Sequence, residues 1–444
     1  MLAKEEVKLH YILLAAILSV LSFFWEVPIS ADAHVVMSIT VFIGIMWLTE
    51  ALPLHVTALM VPVLLIIAGV REAKEAFSPF FAPTIALFFG GFMLARAMQK
   101  HGLDKQIAAQ FVGKFGRDPS KFLLGIMLIT AFLSFWISNT ASTAIMLPIV
   151  IFAITKSKLG KGSTTKALIL GVAFAATIGG IGTIVGTPPN GIAVANLAEH
   201  GIEISFLEWM YYAMPFAIVF LPIAWFILIN VYKPGKEKMQ LPKKSGKVTG
   251  EQKSVLGIGA LTMGLWVTSF IHGMPDAVVA LIAVFLLYLF RLLETNDLSR
   301  IAWGALLLFG GGLALGAAID GSGLSLYLSD IFAGLVGGQG YFIVLVSVIA
   351  FAVLMTLTAS NTATAALLVP VMIPLAAILG VEVKELVIIA AIGTSIDFLV
   401  PIGTPPSTIA YSSGYISVKD MVKAGIPITI AGTILLAVLA WLYW

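Results

Sequence analysis

Blocks of about twenty apolar residues, each long enough for a helix to cross a bilayer, follow one another along nearly the whole chain. No other feature constrains the fold as strongly. Charged residues make up 11% and hydrophobic residues 59% of the 444 positions, whereas a soluble chain carries about 25% charged residues. Too little polar side chain is present to cover a water-exposed surface, so lipid is the solvent. Cysteine is absent, which excludes disulfides and thiolate metal sites. The first block, Leu9 to Val27, lacks a small-residue cleavage site and reads as a retained span.

The blocks predict eleven full crossings, at about 9–27, 34–50, 54–70, 82–99, 165–198, 207–232, 254–272, 276–292, 301–319, 385–413 and 422–443. Two further blocks, 121–155 and 341–378, are too long for one helix and too short for two crossings. Each has a polar knot at its middle, Ser138-Asn139-Thr140 in one and Ser360-Asn361-Thr362 in the other. A segment that enters the membrane, turns at polar residues and returns has this pattern. Irregular backbone at that depth must be buried in protein or line a cavity. With a cytoplasmic N-terminus and non-crossing hairpins, all of the 26 Lys and Arg except Arg71, Lys74 and Lys384 fall inside, as positive loops should. The inside groups are Lys4 and Lys8, Arg96 to Lys121, Lys156 to Lys166, Lys233 to Lys253, Arg291 and Arg300, and Lys419 and Lys423. Counting either hairpin as two crossings would invert every later loop and destroy the match. The C-terminal Trp444 is then extracytoplasmic.

The chain also repeats itself. Phe89-Gly90-Gly91 returns as Phe309-Gly310-Gly311, Ser138-Asn139-Thr140-Ala141 as Ser360-Asn361-Thr362-Ala363, and Gly186-Thr187-Pro188-Pro189 as Gly403-Thr404-Pro405-Pro406. The offsets are 220, 222 and 217 residues, and Pro148 pairs with Pro370. Five crossings and a hairpin per unit make the second copy inverted relative to the first. The expected fold class is an all-α polytopic membrane protein, with about 11 transmembrane helices plus two re-entrant hairpins in two inverted-topology repeats. Its divisions are an N-terminal helix at 1–33, repeat 1 at 34–232, a cytoplasmic basic linker at 233–253 and repeat 2 at 254–444. Early helices occupy 34–99 and 254–319, and a hairpin with a broken helix occupies 121–232 and 341–444. The seven lysines of the linker read as a solvated anchor of topology. Inverted repeats with interrupted helices belong to secondary transporters, with a substrate site near the midplane.

The repeated motifs suit an anion carried without a fixed positive charge. Each Ser-Asn-Thr turn offers hydroxyls and an amide, able to donate to a carboxylate or to present oxygen to a cation. The helix resuming after each turn brings about half a positive charge at its N-terminus. In each Gly-Thr-Pro-Pro element the two prolines remove two amide donors and forbid a continuous helix, so the spans around Gly186 and Gly403 should be broken. Unwound carbonyls there can bind sodium.

Trp47-Leu48-Thr49-Glu50-Ala51, Phe89-Gly90-Gly91, both Ser-Asn-Thr motifs and both Thr-Pro-Pro motifs make the chain resemble the divalent anion:sodium symporter family, of the di- and tricarboxylate type. The resemblance runs over nearly the whole chain. It implies a homodimer with an elevator mechanism, in which the early helices form a scaffold and the hairpins and broken helices move. It implies one sodium site at Ser134, Ser138, Asn139 and Gly186, and a second at Thr356, Ala359, Asn361 and Gly403. It implies substrate contacts at Ser138, Asn139, Thr140, Ser360, Asn361, Thr362, Thr404 and Pro405. Glu50 reads as a helix-end residue. Three positions depart from the family pattern. Leu357 follows Thr356 where relatives carry Glu, Ser407 follows Pro406 where they carry Asn, and Asp397 stands where they carry a small neutral residue.

The expected function is sodium-coupled symport of a C4-dicarboxylate such as succinate, malate or fumarate, with two or more sodium ions. The setting is the cell's inner (plasma) membrane, with lipid around the protein and no nucleic-acid partner. Sulfate or citrate transport, anion exchange, and cation/proton antiport through Asp397 are the competing readings. An enzyme is not expected, because no Ser/Lys or Ser/His pair, His-Glu-x-x-His or phosphate-binding glycine loop with lysine is found. Asp397, six residues before Gly403, would lie about 9 Å away along a helix axis, too far for a direct ligand unless the unwound chain folds back, but near enough to act electrostatically on sodium in the second repeat's site.

Overall fold

The computed structural model describes residues 8–112, 115–235, 237–240, 247–401 and 403–444. Lys4 and Lys114 of the expected inside charges, and Lys236, Lys243 and Lys244 of the basic linker, lie outside the described residues. Among the described residues every regular element is a helix. Eight are long and apolar enough to cross a membrane, and six shorter apolar helices of 10–17 residues accompany them.

Length alone finds fewer than eleven spans because the helices of the 9–27, 54–70 and 276–292 blocks run only 14 or 15 residues, and other apolar blocks are built from pieces. The 165–198 block divides into the Ser163–Ile181 helix, a 3-10 turn at Ile184–Gly186 and the Pro188–Glu199 helix. The 385–413 block divides into Val383–Gly393 and Pro405–Ser412. Proline at the start of each second piece has no N–H to continue the first, yet fits the opening turn of a new helix. The 121–155 and 341–378 blocks each become a helix pair, Pro119–Ser134 with Asn139–Lys156 and Tyr341–Thr356 with Asn361–Leu379. Ser138 and Ser360 cap the returning helices, accepting from the amides of Ala141 and Ala363 at 3.3 and 3.2 Å. Glu50 is the left-handed residue that ends the Ala31–Thr49 helix.

The chain forms two compact units, and each draws on three stretches of chain. The first comprises Met1–Ile85, Ile192–Glu203 and Ala302–Thr394. Its centre is the Trp303–Gly321 helix, packed against Leu54–Ile67 and Asn361–Leu379. Lipid gives helices no hydrophobic reason to associate, so small residues that allow close approach do the work. Gly311 lies on Ala58, Gly312 on Ala366 and Gly316 on Pro370, each too close for a Cβ. The Ala58 carbonyl, deprived of its helical donor by Pro62, faces Gly311. Elsewhere in this unit Ser19 and Ser38 donate to each other's carbonyl at 2.8 and 2.7 Å, joining Leu9–Phe23 to Ala31–Thr49.

The second unit comprises Ala86–Gly191, Ile204–Ile301 and Ser395–Trp444. Its centre is Ser163–Ile181, apolar on every side and buried on every side, as such a helix must be. It packs on Pro119–Ser134, Asn139–Lys156, Phe206–Tyr232 and Pro405–Ser412. Gly179 lies against the Ala131 backbone and Gly171 against Leu123. Gly90 meets Ala280 in the same way, so both Phe-Gly-Gly repeats serve helix packing.

Charge is tied down at the end of the Pro83–Lys100 helix. Asp297, in the short Thr295–Leu298 helix, is 4% exposed. Arg96 and Lys100 each reach its carboxylate at 2.8 Å, and the Glu294 amide donates at 2.9 Å. Burial alone would raise its pKa. The hydrogen bonds from Lys100, the Glu294 amide and Arg96 outweigh burial and hold it at about 2.

Two outcomes follow from this packing. Gly311→Leu should lower stability by about 1–3 kcal/mol through overpacking against Ala58, read as a lower melting temperature in detergent. Asp297→Asn should cost about 2 kcal/mol. Because the folded carboxyl titrates below its unfolded value of about 3.9, the parent keeps this contribution above about pH 4 and loses it as pH falls toward 2. The stability gap between parent and Asp297→Asn, measured by thermal melts from pH 3 to 8, should be constant above about pH 4.5 and narrow below it.

Candidate functional site

The first Ser-Asn-Thr turn belongs to the second unit. Pro119–Ser134 ends at Ser134, four residues unwind, and Asn139 opens the next helix. The Ser134 hydroxyl donates to the Ala176 carbonyl at 2.7 Å, which leaves its oxygen free to accept. The acceptors around it orient the Asn139 amide with nitrogen inward. That nitrogen donates to Ser134 Oγ at 2.7 Å, to Ala176 O at 3.0 Å and to Gly186 O at 3.3 Å. One side chain thus joins the hairpin, the buried central helix and the break. Gly180 makes room for it, since a Cβ there would overlap the amide.

The break at 182–187 leaves carbonyls without helical donors, and buried carbonyls need partners. Asn190 supplies most of them. Its amide nitrogen donates to Gly180, Ile181 and Thr183 at 3.0, 3.3 and 2.8 Å. Trp209 Nε1 adds a bond to Ile181 O at 3.1 Å. The Thr183 hydroxyl donates to Phe135 O at 2.5 Å and fastens the break to the hairpin turn. These oxygens, with the Ser134 hydroxyl, make a set that a hard cation would accept, since such cations take oxygen ligands. The Asn139 amide occupies the gap with its nitrogen and would offer oxygen if turned over.

The second turn belongs to the first unit and repeats the spacing of the first, with the hydrogen bond between hydroxyl and amide running the other way. Thr356 Oγ1 donates to Asn361 Oδ1 at 2.9 Å, five residues away as Ser134 is from Asn139. Thr356 and Asn361 are buried, and so is Ala359. The two hydroxyl and amide pairs share the 222-residue offset seen in the motifs.

The second break lies in the second unit, and here the copies diverge. Thr404 caps Pro405–Ser412, but its hydroxyl is spent on Ser407, donating to Ser407 Oγ at 2.9 Å and accepting from the Ser407 amide at 3.3 Å. Ser407 holds the place of Asn190, at the 217-residue offset of Gly186 and Gly403. Its side chain is too short to span three carbonyls and turns back on its own cap. Asp397 does not lie on a helix. The Val383–Gly393 helix ends well before it, and the unwound chain folds back so that the carboxylate rests directly against Gly403. The helical separation of about 9 Å therefore does not apply: the described residues between the two are not helical, and the folded-back chain brings them into contact.

Exposure sorts the expected ligands. Ser134, Asn139, Gly186, Thr356, Ala359, Asn361 and Gly403, all expected at sodium, are buried. Ser138, Ser360 and Thr362 are half-buried, and Thr140 and Pro405 are exposed, so these are open to a solute. The exceptions are Thr404, Asn139 and Asn361, which are buried although expected at substrate, and Ser138, which is half-buried although also expected at sodium. Reasoning from the motifs missed Asn190, Gly180 and Trp209. Asn190 follows Pro188-Pro189 directly and could have been found as the polar residue nearest the break. Gly180 and Trp209 carry no local signal, because their roles arise from distant parts of the chain.

The family profile described as the sodium:sulfate symporter transmembrane region matches residues 4–444. An uncharacterized transporter of Haemophilus influenzae is 35% identical, over 94% of this chain and 93% of the relative. The sodium-dependent dicarboxylate transporter SdcS of Staphylococcus aureus is 33% identical, over 91% of this chain and 85% of the relative. Among solved structures, the fold is similar to the YdaH transporter of Alcanivorax borkumensis, with a TM-score of 0.59 at 13% identity, over 83% of this chain and 87% of that one. It is likewise similar to MtrF of Neisseria gonorrhoeae, with a TM-score of 0.58 at 14% identity, over 98% and 94%. The chain is a multi-pass membrane transporter and belongs to the sodium:sulfate symporter family, the divalent anion:sodium symporters that its motifs resemble.

Proposed function

We propose that the protein takes up a small dianion, a C4-dicarboxylate such as succinate, malate or fumarate, by symport with two or more sodium ions. The observation that carries this reading is the oxygen set around Asn139, where a serine hydroxyl, a carbonyl of the central helix and a carbonyl of the break converge on one amide. Kinship with SdcS, named for sodium-dependent dicarboxylate transport, supports the choice of anion. The first sodium binds among Ser134, Ser138, Asn139 and Gly186, with the Asn139 amide turned to present its oxygen. The positions of repeat 2 that match this set in sequence are Thr356, Ala359 and Asn361 at the second turn and Gly403 at the second break. The substrate's carboxylates meet the more open Ser138, Thr140, Ser360, Thr362 and Pro405, together with Asn139, Asn361 and Thr404. The helices resuming at Asn139 and Asn361 favour negative charge at their N-termini. Sulfate is the second reading, because the family profile is described by sodium:sulfate symport.

Coupling to sodium is energetically sensible. Moving charge inward against a negative interior costs about 2.3 kcal/mol per charge per 100 mV. Two sodium ions cancel the charge of a dianion, and a third makes the step favourable. The two states required for alternation are supplied by inverted repeats that form a scaffold and a moving elevator in each protomer of a homodimer.

In proteoliposomes, labelled succinate should accumulate with an inward sodium gradient, and equimolar sulfate should compete poorly. Accumulation under a proton gradient alone, or full competition by sulfate, would redirect the reading. Asn139→Ala and Asn361→Ala should each reduce initial uptake more than ten-fold, since a lost amide leaves buried partners unsatisfied, at about 1–3 kcal/mol each, while gel filtration stays unchanged. Topology can be read separately, because the parent has no cysteine. Lys161→Cys and Gln339→Cys should react with an impermeant maleimide from opposite sides of sealed membranes. Labelling from one side would exclude inverted repeats.

A further inference from the structure

Asp397 is 0% exposed, and one of its carboxylate oxygens has no partner. The other, Oδ1, accepts from the Leu399 amide at 3.1 Å. The free Oδ2 is pressed against Gly403, where any Cβ would collide with it. Phe398 packs on Phe174 and Phe220 with ring centroids 5.0 and 5.8 Å apart. Ser395, two residues earlier, is also fully buried with its hydroxyl unpartnered.

A buried carboxylate in such a place is costly unless neutralised, by several kcal/mol. Among the described residues no Lys, Arg or His forms an ion pair with it. The neutralising charge must therefore be mobile.

Comparison of the two breaks indicates which mobile charge fits. In the first, the position matching Asp397 is Gly180, and the Asn190 amide places a donor among three carbonyls. In the second, Ser407 replaces that donor and turns away to Thr404. No hydrogen bond among the described residues reaches the Asp397, Phe398 or Val400 carbonyls. The second break has lost an amide donor and gained a carboxylate, so it is rich in oxygen acceptors and poor in hydrogen. A proton satisfies one such oxygen, whereas a hard metal cation takes several.

We propose that Asp397 is a sodium ligand, its free Oδ2 completing a cation site against Gly403 in the unwound segment of the second repeat. This rests on the sodium-symport reading above and adds a charged ligand to it. With Asp397 the sodium-free site carries a negative charge, and binding one sodium neutralises it. Sodium should then bind more tightly here than at the uncharged set around Asn139.

The test is sodium binding measured without transport. The purified full chain in detergent is titrated with sodium chloride against choline chloride at constant ionic strength, and the melting temperature is followed at pH 6 and pH 8. The parent should be stabilised by sodium in a saturable way. Asp397→Asn should melt at the same or a higher temperature without sodium, because an unpaired buried charge is gone, and its apparent sodium affinity should fall at least ten-fold. Asp397→Gly, which installs the residue found at matched position 180, provides a second variant should the first fold poorly. Equal sodium affinity in parent and variants overturns the proposal and leaves symport intact. A variant that differs from the parent only in its response to pH also overturns it and makes Asp397 a proton carrier. If the parent itself does not respond to sodium, the symport reading falls and this proposal falls with it.

Discussion

Inside a bilayer no water is available to a backbone carbonyl, so every helix that breaks there must have its loose ends met by the protein itself. The break at 182–187 shows how much follows from this. Two prolines prevent the helix from continuing, and the freed carbonyls of Gly180, Ile181 and Thr183 are met by one asparagine and one tryptophan. The break can then stand next to a hairpin turn, to which Thr183 fastens it. Once those bonds are made, the Gly186 and Ala176 carbonyls remain turned toward Asn139. The polar centre of the second unit is thus a by-product of satisfying a broken helix.

Close packing makes this arrangement affordable in space. The central Ser163–Ile181 helix is buried on all sides and carries glycine wherever a neighbour comes nearest. Gly179 admits the Ala131 backbone, and Gly180 admits the Asn139 amide. In the first unit, the glycines of Trp303–Gly321 play the same part against Ala58, Ala366 and Pro370. Repetition of Phe-Gly-Gly along the chain therefore reflects helix contact, whereas repetition of Ser-Asn-Thr reflects capping and a shared hydroxyl and amide pair.

The two copies agree at the turns and part at the breaks. Ser134 with Asn139 and Thr356 with Asn361 have the same spacing. Asn190 against Ser407, and Gly180 against Asp397, have opposite chemistry, one copy donating hydrogen and the other offering oxygen. Repetition of a motif along the chain does not require the same side chains to close each break.

Much of this was legible in the chain. Apolar blocks of bilayer length dictated helices, the double prolines dictated breaks, and Ser138 and Ser360 marked where helices restart. These are local effects, set by missing donors and capping oxygens within a few residues. The family resemblance also named Ser134, Asn139 and Gly186, which converge in the fold. What the chain could not display was which distant group meets each loose end. Asn190 reaching Gly180, Trp209 reaching Ile181 and Asp397 folding back on Gly403 depend on packing between segments far apart or on the path of an unwound stretch. Helical spacing put Asp397 at a distance from Gly403, and only the fold showed contact, because rise per residue is fixed in a helix and undetermined once the helix ends. Sequence alone determined where the backbone must break, since donors are counted residue by residue. Tertiary structure decided how each break is closed, since acceptors in lipid are satisfied by whatever the packing brings to them.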